Sequence, residues 1–315
     1  MNRIQRSSHI CGPRANPVFD DVAVAYNQAQ SAYGIYADGD SRDLFAFNGQ
    51  HACADRCVWS TLDAKLRDRR ATGATSISIL DAGCGPGTWL QRLVVRAGSL
   101  GFTQITARGF DVAAAQIDVA RQNTQHLRHT RGIDLAFEVA DLEDRLPEAE
   151  SSVDLTLCLY SVLSHLPADK LPGVAAEIGR VTRGHFVTTV RSVGSMPTIF
   201  IDTIEAARRL EFDHDLDRCE IEFNDGRHMV LRFHLFAPGE LKCCFANHFE
   251  IEDLRGLDIF RSRFNLDHRW NPDAHAFDPR FEVFITQLEE RFAHNPSFME
   301  RATHLMLVGR RGTSG

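Results

Sequence analysis

The sequence has no basic excess. Its 35 lysines and arginines are outnumbered by 42 aspartates and glutamates, giving a formal net charge of −7 and a pI near 6.0. A nucleic-acid footprint is usually a strongly basic face, so no nucleic-acid partner is expected. The chain also lacks any apolar stretch approaching the ~20 residues of a membrane-crossing helix, so no membrane partner is expected. Eight cysteines are present, but they form no pair of C-x-x-C units. That spacing would mark a structural zinc site, and no metal is expected. The opening MNRIQRSSHICGPRANP has no apolar export-signal region. Residues 1–18 therefore read as a loose or engineered leader, and the cysteines as reduced thiols of a cytoplasmic protein. Internal repeats and low-complexity runs are lacking too.

What the chain does have is ILDAGCGPGTWL, residues 79–90. An apolar run ends in Asp81, and glycines then alternate at Gly83, Gly85 and Gly87. Glycine accepts positive φ and lets a backbone approach a ligand closely. A strand, such a turn and then a helix read as a nucleotide-type cofactor site. The dinucleotide fingerprint G-x-G-x-x-G would place its third glycine at position 88, which is threonine. Asp111, ending the next apolar run, is placed to accept hydrogen bonds from two ribose hydroxyls. Asp141 and Leu142, ending the third, are placed to meet an adenine.

Around this motif, strand and helix patterns alternate. SISIL, ITARGFD, DLAFEVAD, SVDLTLCLYSV and GHFVTTVRS read as five strands, with helices between most of them. That order predicts a doubly wound parallel sheet. Upstream, residues 19–70 read as a helical cap, with Val58, Leu62 and Leu66 on one helix face. Downstream, residues 198–212 read as helix and residues 219–236 as a β-hairpin turning at Asp225-Gly226. FEIEDLRGL and THLMLVGRR read as strands six and seven. Between them, Phe281, Phe284, Ile285, Leu288 and Phe292 share a helix face.

LDAGCGPGTW, GFDVAAAQIDVAR, VADLEDRLP and DLTLCLYSVLSHLP resemble, in order, four consecutive core motifs of class I S-adenosylmethionine-dependent methyltransferases. The resemblance implies an α/β fold: a doubly wound, seven-stranded, mostly parallel Rossmann-like sheet. It implies a core over 71–192, an inserted cap over 193–247, and strands six and seven over 248–315, the seventh antiparallel between the fifth and sixth. It implies S-adenosylmethionine as cofactor, contacted by Asp81, Gly83, Cys84, Gly85, Gly87, Asp111, Val112, Asp141, Leu142 and Tyr160. Cys84 also reads simply as a small residue that fits the turn. Tyr160 and Ser161, at the end of strand four, fall in the methyl-transfer zone.

YADGDSRDLFAF and LCLYSVLSHLP are similar to segments of glycine and sarcosine N-methyltransferases. That partial resemblance implies that Tyr36 reaches the sulfonium and that Arg191 grips an acceptor carboxylate. His165 is the candidate base. Each has a plainer alternative: Tyr36 packed in the cap, Arg191 paired with a structural acid, His165 in a helix-start hydrogen bond. Residues 261–270 read as a lid or a solvated loop. The expected function is methyl transfer to a small molecule, an amino acid or other carboxylate, on nitrogen in preference to sulfur or oxygen. The rivals are an RNA or protein methyltransferase, which would want a basic surface, and a non-catalytic cofactor-binding regulator. A homo-oligomer is left open.

Overall fold

A computed structural model describes residues 19–28, 43–47, 51–195, 207–213, 215–261 and 279–312. Two helices come first, α1 (Val22–Gln28) and α2 (Ala52–Ala71). Then follow β1 (Ser76–Ala82), α3 (Thr88–Ser99), β2 (Gln104–Asp111), α4 (Ala114–Asn123), β3 (Ile133–Val139), β4 (Val153–Cys158), α5 (Leu171–Val181) and β5 (Thr182–Arg191). The later elements are β6 (Ala207–Asp213), β7 (Arg218–Phe223), β8 (His228–Arg232), α6 (Pro238–Ala246), β9 (Glu250–Leu257), α7 (Pro279–Phe292), α8 (Pro296–Met299) and β10 (His304–Arg310).

The main sheet has seven strands in the order β3-β2-β1-β4-β5-β10-β9. The first five run parallel. β10 runs antiparallel to both neighbours, β5 and β9. This is the architecture the motif order implies. The order reverses between β1 and β4, and that reversal opens a crevice at their carboxyl ends.

Burial on both faces explains the apolar strands. β4 is buried at every position, and β1 from Ile79 to Ala82. On one face, Val58, Leu62 and Leu66 of α2 and Leu90, Leu93 and Val94 of α3 pack over Ile77 and Ile79. On the other, Val174 and Ile178 of α5 and Leu241 and Phe245 of α6 pack over Leu80, Phe186 and Leu307.

β6, β7 and β8 form a separate antiparallel sheet. Its hairpin turns at Gly226 with φ +87°, as Asp225-Gly226 predicts. The cap is thus three strands, not two. The helix expected over 198–212 is overturned where it can be seen, because Ala207–Asp213 is strand β6; residues 198–206 lie outside the described set. Pairing with β7, with Arg209 opposite Glu222 and Phe212 opposite Cys219, outweighs the helix-favouring local composition. The expected face of α7 is also only partly right: Ile285 is buried, but Phe284 is 52% exposed.

The second sheet packs on α1. Ala25 is buried with Cys219, Ile221 and Leu231, and Asp20 exchanges backbone and carboxylate hydrogen bonds with Val230. Among the described residues, no helix is long and apolar enough to cross a membrane. The seven described cysteines are free thiols.

Leu62 is fully buried, so Leu62→Ala should remove about 2–5 kcal/mol of stability by lost transfer energy and cavity formation. Chemical denaturation measures it. A loss below about 1 kcal/mol would mean that α2 is not packed on the sheet in this way.

Candidate active site

After β1 the chain turns through left-handed conformations at Gly83 (φ +75°), Gly85 (φ +50°) and Gly87 (φ +77°). Space demands glycine as well as φ does. A Cβ on Gly83 would lie 2.4 Å from the Val162 side chain, and one on Gly87 would lie 2.9 Å from the Phe137 ring. The turn is tied to the end of β2. The Gly83 and Cys84 amides donate to the Phe110 carbonyl at 2.8 and 2.9 Å. The Gly85 amide donates to Asp111 Oδ2 at 3.0 Å, and the Ala113 amide to Asp111 Oδ1 at 2.9 Å.

These two amide bonds hold Asp111 in place. Burial pushes its carboxyl above the ordinary range, while the amides of Ala113, Gly85 and Val112 pull it back. Asp81, one strand over, is 2% exposed. Its Oδ2 has no hydrogen-bond partner among the described residues. Burial, with Asp111 nearby, pushes the Asp81 carboxyl up to about 7. Asp81 is buried and Asp111 half-buried beside these left-handed glycines, and Asp111 faces the pocket as an acceptor for a ligand rich in donors.

A cavity of about 380 Å³ opens here. Gly83, Gly85, Asp111, Val112, Asp141, Leu142, Tyr160 and His165 line it, as do Gln116 and Tyr26, which the sequence did not single out. Asp81, Cys84, Gly87, Ser161 and Arg191 do not line it. Cys84 is buried behind the turn, and Gly87 is the residue on which α3 begins. Tyr36 lies outside the described residues, as do positions 262–270 of the loop considered as a lid. Arg261, at that loop's start, is paired with Glu282.

β4 exits through two consecutive left-handed residues, Tyr160 (φ +54°) and Ser161 (φ +71°). Non-glycine residues rarely adopt this conformation, and such strain gathers at functional sites. It is held by β5: the Tyr160 amide donates to Thr189 Oγ1 at 2.6 Å and the Ser161 amide to the Thr189 carbonyl at 2.9 Å. The Tyr160 hydroxyl donates to the Asp55 carboxylate of α2. Its ring packs against Trp89 and, edge-on, against His304.

His165 ends a short 3-10 turn, Val162–His165, and does not begin the following helix, which starts at Leu171. Its Nδ1 bonds the Arg232 carbonyl at 3.0 Å, so that nitrogen carries the proton. Nε2 then accepts from the Tyr26 hydroxyl at 2.8 Å. Burial holds the ring neutral, down at about 4. His165 thus ties α1 and the second sheet to the exit of β4.

Arg191 is the last residue of β5, 2% exposed, and pairs in register with His304 of β10. Burial, Arg191 and His51 together keep His304 well below its usual range. His51, Asp258 and His304 converge behind Tyr160. Reading the sequence missed this group and Asp55, because the residues share no local spacing.

Residues 79–185 match the family model described as a methyltransferase domain. That match spans about a third of the chain. The sheet order, with antiparallel β10, is the one that the resemblance to class I S-adenosylmethionine-dependent methyltransferases implies. No curated protein matches the chain in sequence. Among solved structures it resembles the [4+2]-cyclase SpnF, at 18% identity and a TM-score of 0.50, over 93% of this chain and 96% of that one. It is also similar to geranyl diphosphate C-methyltransferase from Streptomyces coelicolor A3(2), at 15% identity, TM-score 0.47, 80% and 77% coverage. A third is magnesium protoporphyrin IX methyltransferase from Synechocystis PCC 6803, at 13% identity, TM-score 0.44, 90% and 97% coverage. At such identities the SpnF likeness speaks for the shared fold alone.

The state of His165 gives a pH test. A histidine whose folded pKa lies near 4 instead of 6.5 contributes stability that is full above pH 6.5 and lost as pH falls towards 4. The contribution is at most about 3 kcal/mol. The stability gap between the parent and His165→Gln should narrow over that window, as read by urea denaturation across pH. A gap independent of pH would show that His165 is not held neutral by the fold.

Proposed function

We propose that this chain transfers the methyl group of S-adenosylmethionine to a small-molecule acceptor. The observation that carries this reading is the methyltransferase domain over residues 79–185, whose glycine turn and Asp111 line one cavity. The residues present suit the cofactor. Gly83, Gly85 and Asp111 line the cavity, and in the strand that leads into the turn buried Asp81 Oδ2 has no hydrogen-bond partner among the described residues.

When bound, S-adenosylmethionine supplies a methyl group already activated on a sulfonium. The chain's task is alignment and removal of water. Asp111 holds the ribose hydroxyls; its two backbone bonds leave acceptor capacity, since a carboxylate offers about four lone-pair sites. Asp141 and Leu142 take the adenine, and the Gly83–Gly87 turn takes the amino-acid end. Tyr160, fixed by Asp55 and Thr189, shapes the methyl-transfer zone. α1 and the turn after β4 flank the cavity with Tyr26 and His165, a setting that suits a small acceptor better than RNA or a protein.

We further infer an acceptor bearing a carboxylate, an amino acid or a similar metabolite, methylated on nitrogen. Arg191, buried at the exit of β5 and not among the residues that line the cavity, would grip it, since its planar fork of donors suits a carboxylate. A neutral amine needs no strong base, consistent with a His165 whose two ring nitrogens are both engaged.

Incubation with labelled S-adenosylmethionine and fractionated metabolites, followed by mass spectrometry, tests the reading. A methylated carboxylate-bearing product is expected. Labelled products confined to RNA or protein would overturn the small-molecule reading, and the complete absence of turnover would favour a regulator. On the identified acceptor, Arg191→Ala should lower kcat/KM about thirtyfold or more, from a loss of about 2–5 kcal/mol, with cofactor affinity nearly unchanged. A parallel fall in thermal stability and in both affinities would assign Arg191 a structural role. Asp111→Ala should weaken cofactor binding at least about tenfold, since bonds to a charged acceptor contribute about 1.5–3 kcal/mol each.

A further inference from the structure

His51 sits at the start of α2, Asp258 follows β9 with φ +52°, and His304 opens β10. They are 6%, 3% and 2% exposed. One ligand-capable atom from each lies within 4.8 Å of the other two. We propose that His51, Asp258 and His304 form a binding site for a divalent transition-metal ion.

Two observations beyond the clustering point to an ion. The first is the spacing of His51 and Asp258. Four other histidine–carboxylate contacts in this protein close to 2.7–2.8 Å: His234 with Asp217 and with Glu240, His228 with Glu220, and His294 with Asp253. A fifth, His185 with Glu252, stands at 3.4 Å. His51 Nδ1 and Asp258 Oδ2 also stand at 3.4 Å although both side chains are buried. This is a long hydrogen bond. It is also about the edge of a coordination tetrahedron with ~2.1 Å bonds. The second is His304, whose Nδ1 is buried without a hydrogen-bond partner among the described residues. Its ring meets the His51 ring edge to face at 5.4 Å.

The charged groups facing the cluster decide which ion fits. Arg191 acts on His304, while the carboxylates of Asp55 and Glu289 lie in range of Asp258. The positive charge of Arg191 opposes a hard cation held by ionic attraction alone. Two imidazoles and one carboxylate suit zinc, iron(II) or cobalt(II), whereas magnesium and calcium prefer an all-oxygen shell. Three protein ligands leave a coordination position open. The site is one ring away from the cofactor cavity, since Tyr160 touches His304 and lines that cavity.

The test is metal binding to the full chain, made metal-free by dialysis against a chelator. Titration with Zn²⁺ and, separately, Co²⁺ should show one tight equivalent, with Co²⁺ developing the intense visible absorption of a four- or five-coordinate site. His51→Gln and His304→Gln should each weaken that equivalent about a hundredfold or more, since even groups that merely support a ligand carry 10–100-fold effects. His294→Gln, which alters a 58% exposed histidine, should leave it unchanged. No tight equivalent in the parent, or one that survives both buried-site variants, overturns the proposal and assigns any binding to surface histidines. If a variant does not fold, the parent decides by two readings. A thermal midpoint raised by Zn²⁺ with an intense Co²⁺ spectrum supports the site. An unmoved midpoint with the weak spectrum of hydrated Co²⁺ overturns it. Neither reading depends on methyl transfer.

Discussion

The Asp111 carboxylate, held by the amides of Gly85 and Ala113, is the constraint on which the rest of the site depends. It joins the turn after β1 to the end of β2. A carboxylate withdrawn from water is costly unless hydrogen-bonded, and the turn that brings the Gly85 amide to it passes through left-handed glycines. The same turn leaves no room for a Cβ at Gly83 or Gly87. Cavity and sheet register are therefore one structure: Asp81 pairs with Gly109 and Ala82 with Phe110 across β1 and β2, which sets the height at which Asp111 meets the turn.

A second set of bonds closes the pocket from outside. α1 contributes Tyr26 to His165, and Asn27 accepts from the Ala115 amide of α4. The second sheet contributes the Arg232 carbonyl to the same histidine and, through the His234 amide, a bond to the Ser164 carbonyl. The neutral His165 ring holds both, with one nitrogen donating and the other accepting. The cover over the cavity is thus coupled to the strained exit of β4, where Tyr160 and Ser161 lie.

The glycine turn and its tie to Asp111 were legible in the sequence because their spacing is local. Gly83 to Asp111 spans one strand–turn–helix–strand unit, and each of its residues has a recognisable place in that unit. The strands were legible because burial on both faces demands continuous apolar runs. β6 was not: ARRLEF carries helix formers, and only pairing with β7 makes it a strand. Phe284 was misplaced because an apolar residue at helical spacing does not by itself show which way the helix faces. The side of the site beyond Tyr160 was invisible for a different reason. Asp55, Arg191, Asp258 and His304 come from α2, β5, the end of β9 and β10, and the antiparallel insertion of β10 brings the last three together.

The most direct measurement of the central claim is a crystal structure of the chain with S-adenosylhomocysteine, the product form of the cofactor. The account predicts ribose hydroxyls on Asp111, adenine beside Leu142 with its amine towards Asp141, and the sulfur facing Tyr160. A ligand bound elsewhere, or one in the cavity making no contact with Asp111, would contradict it.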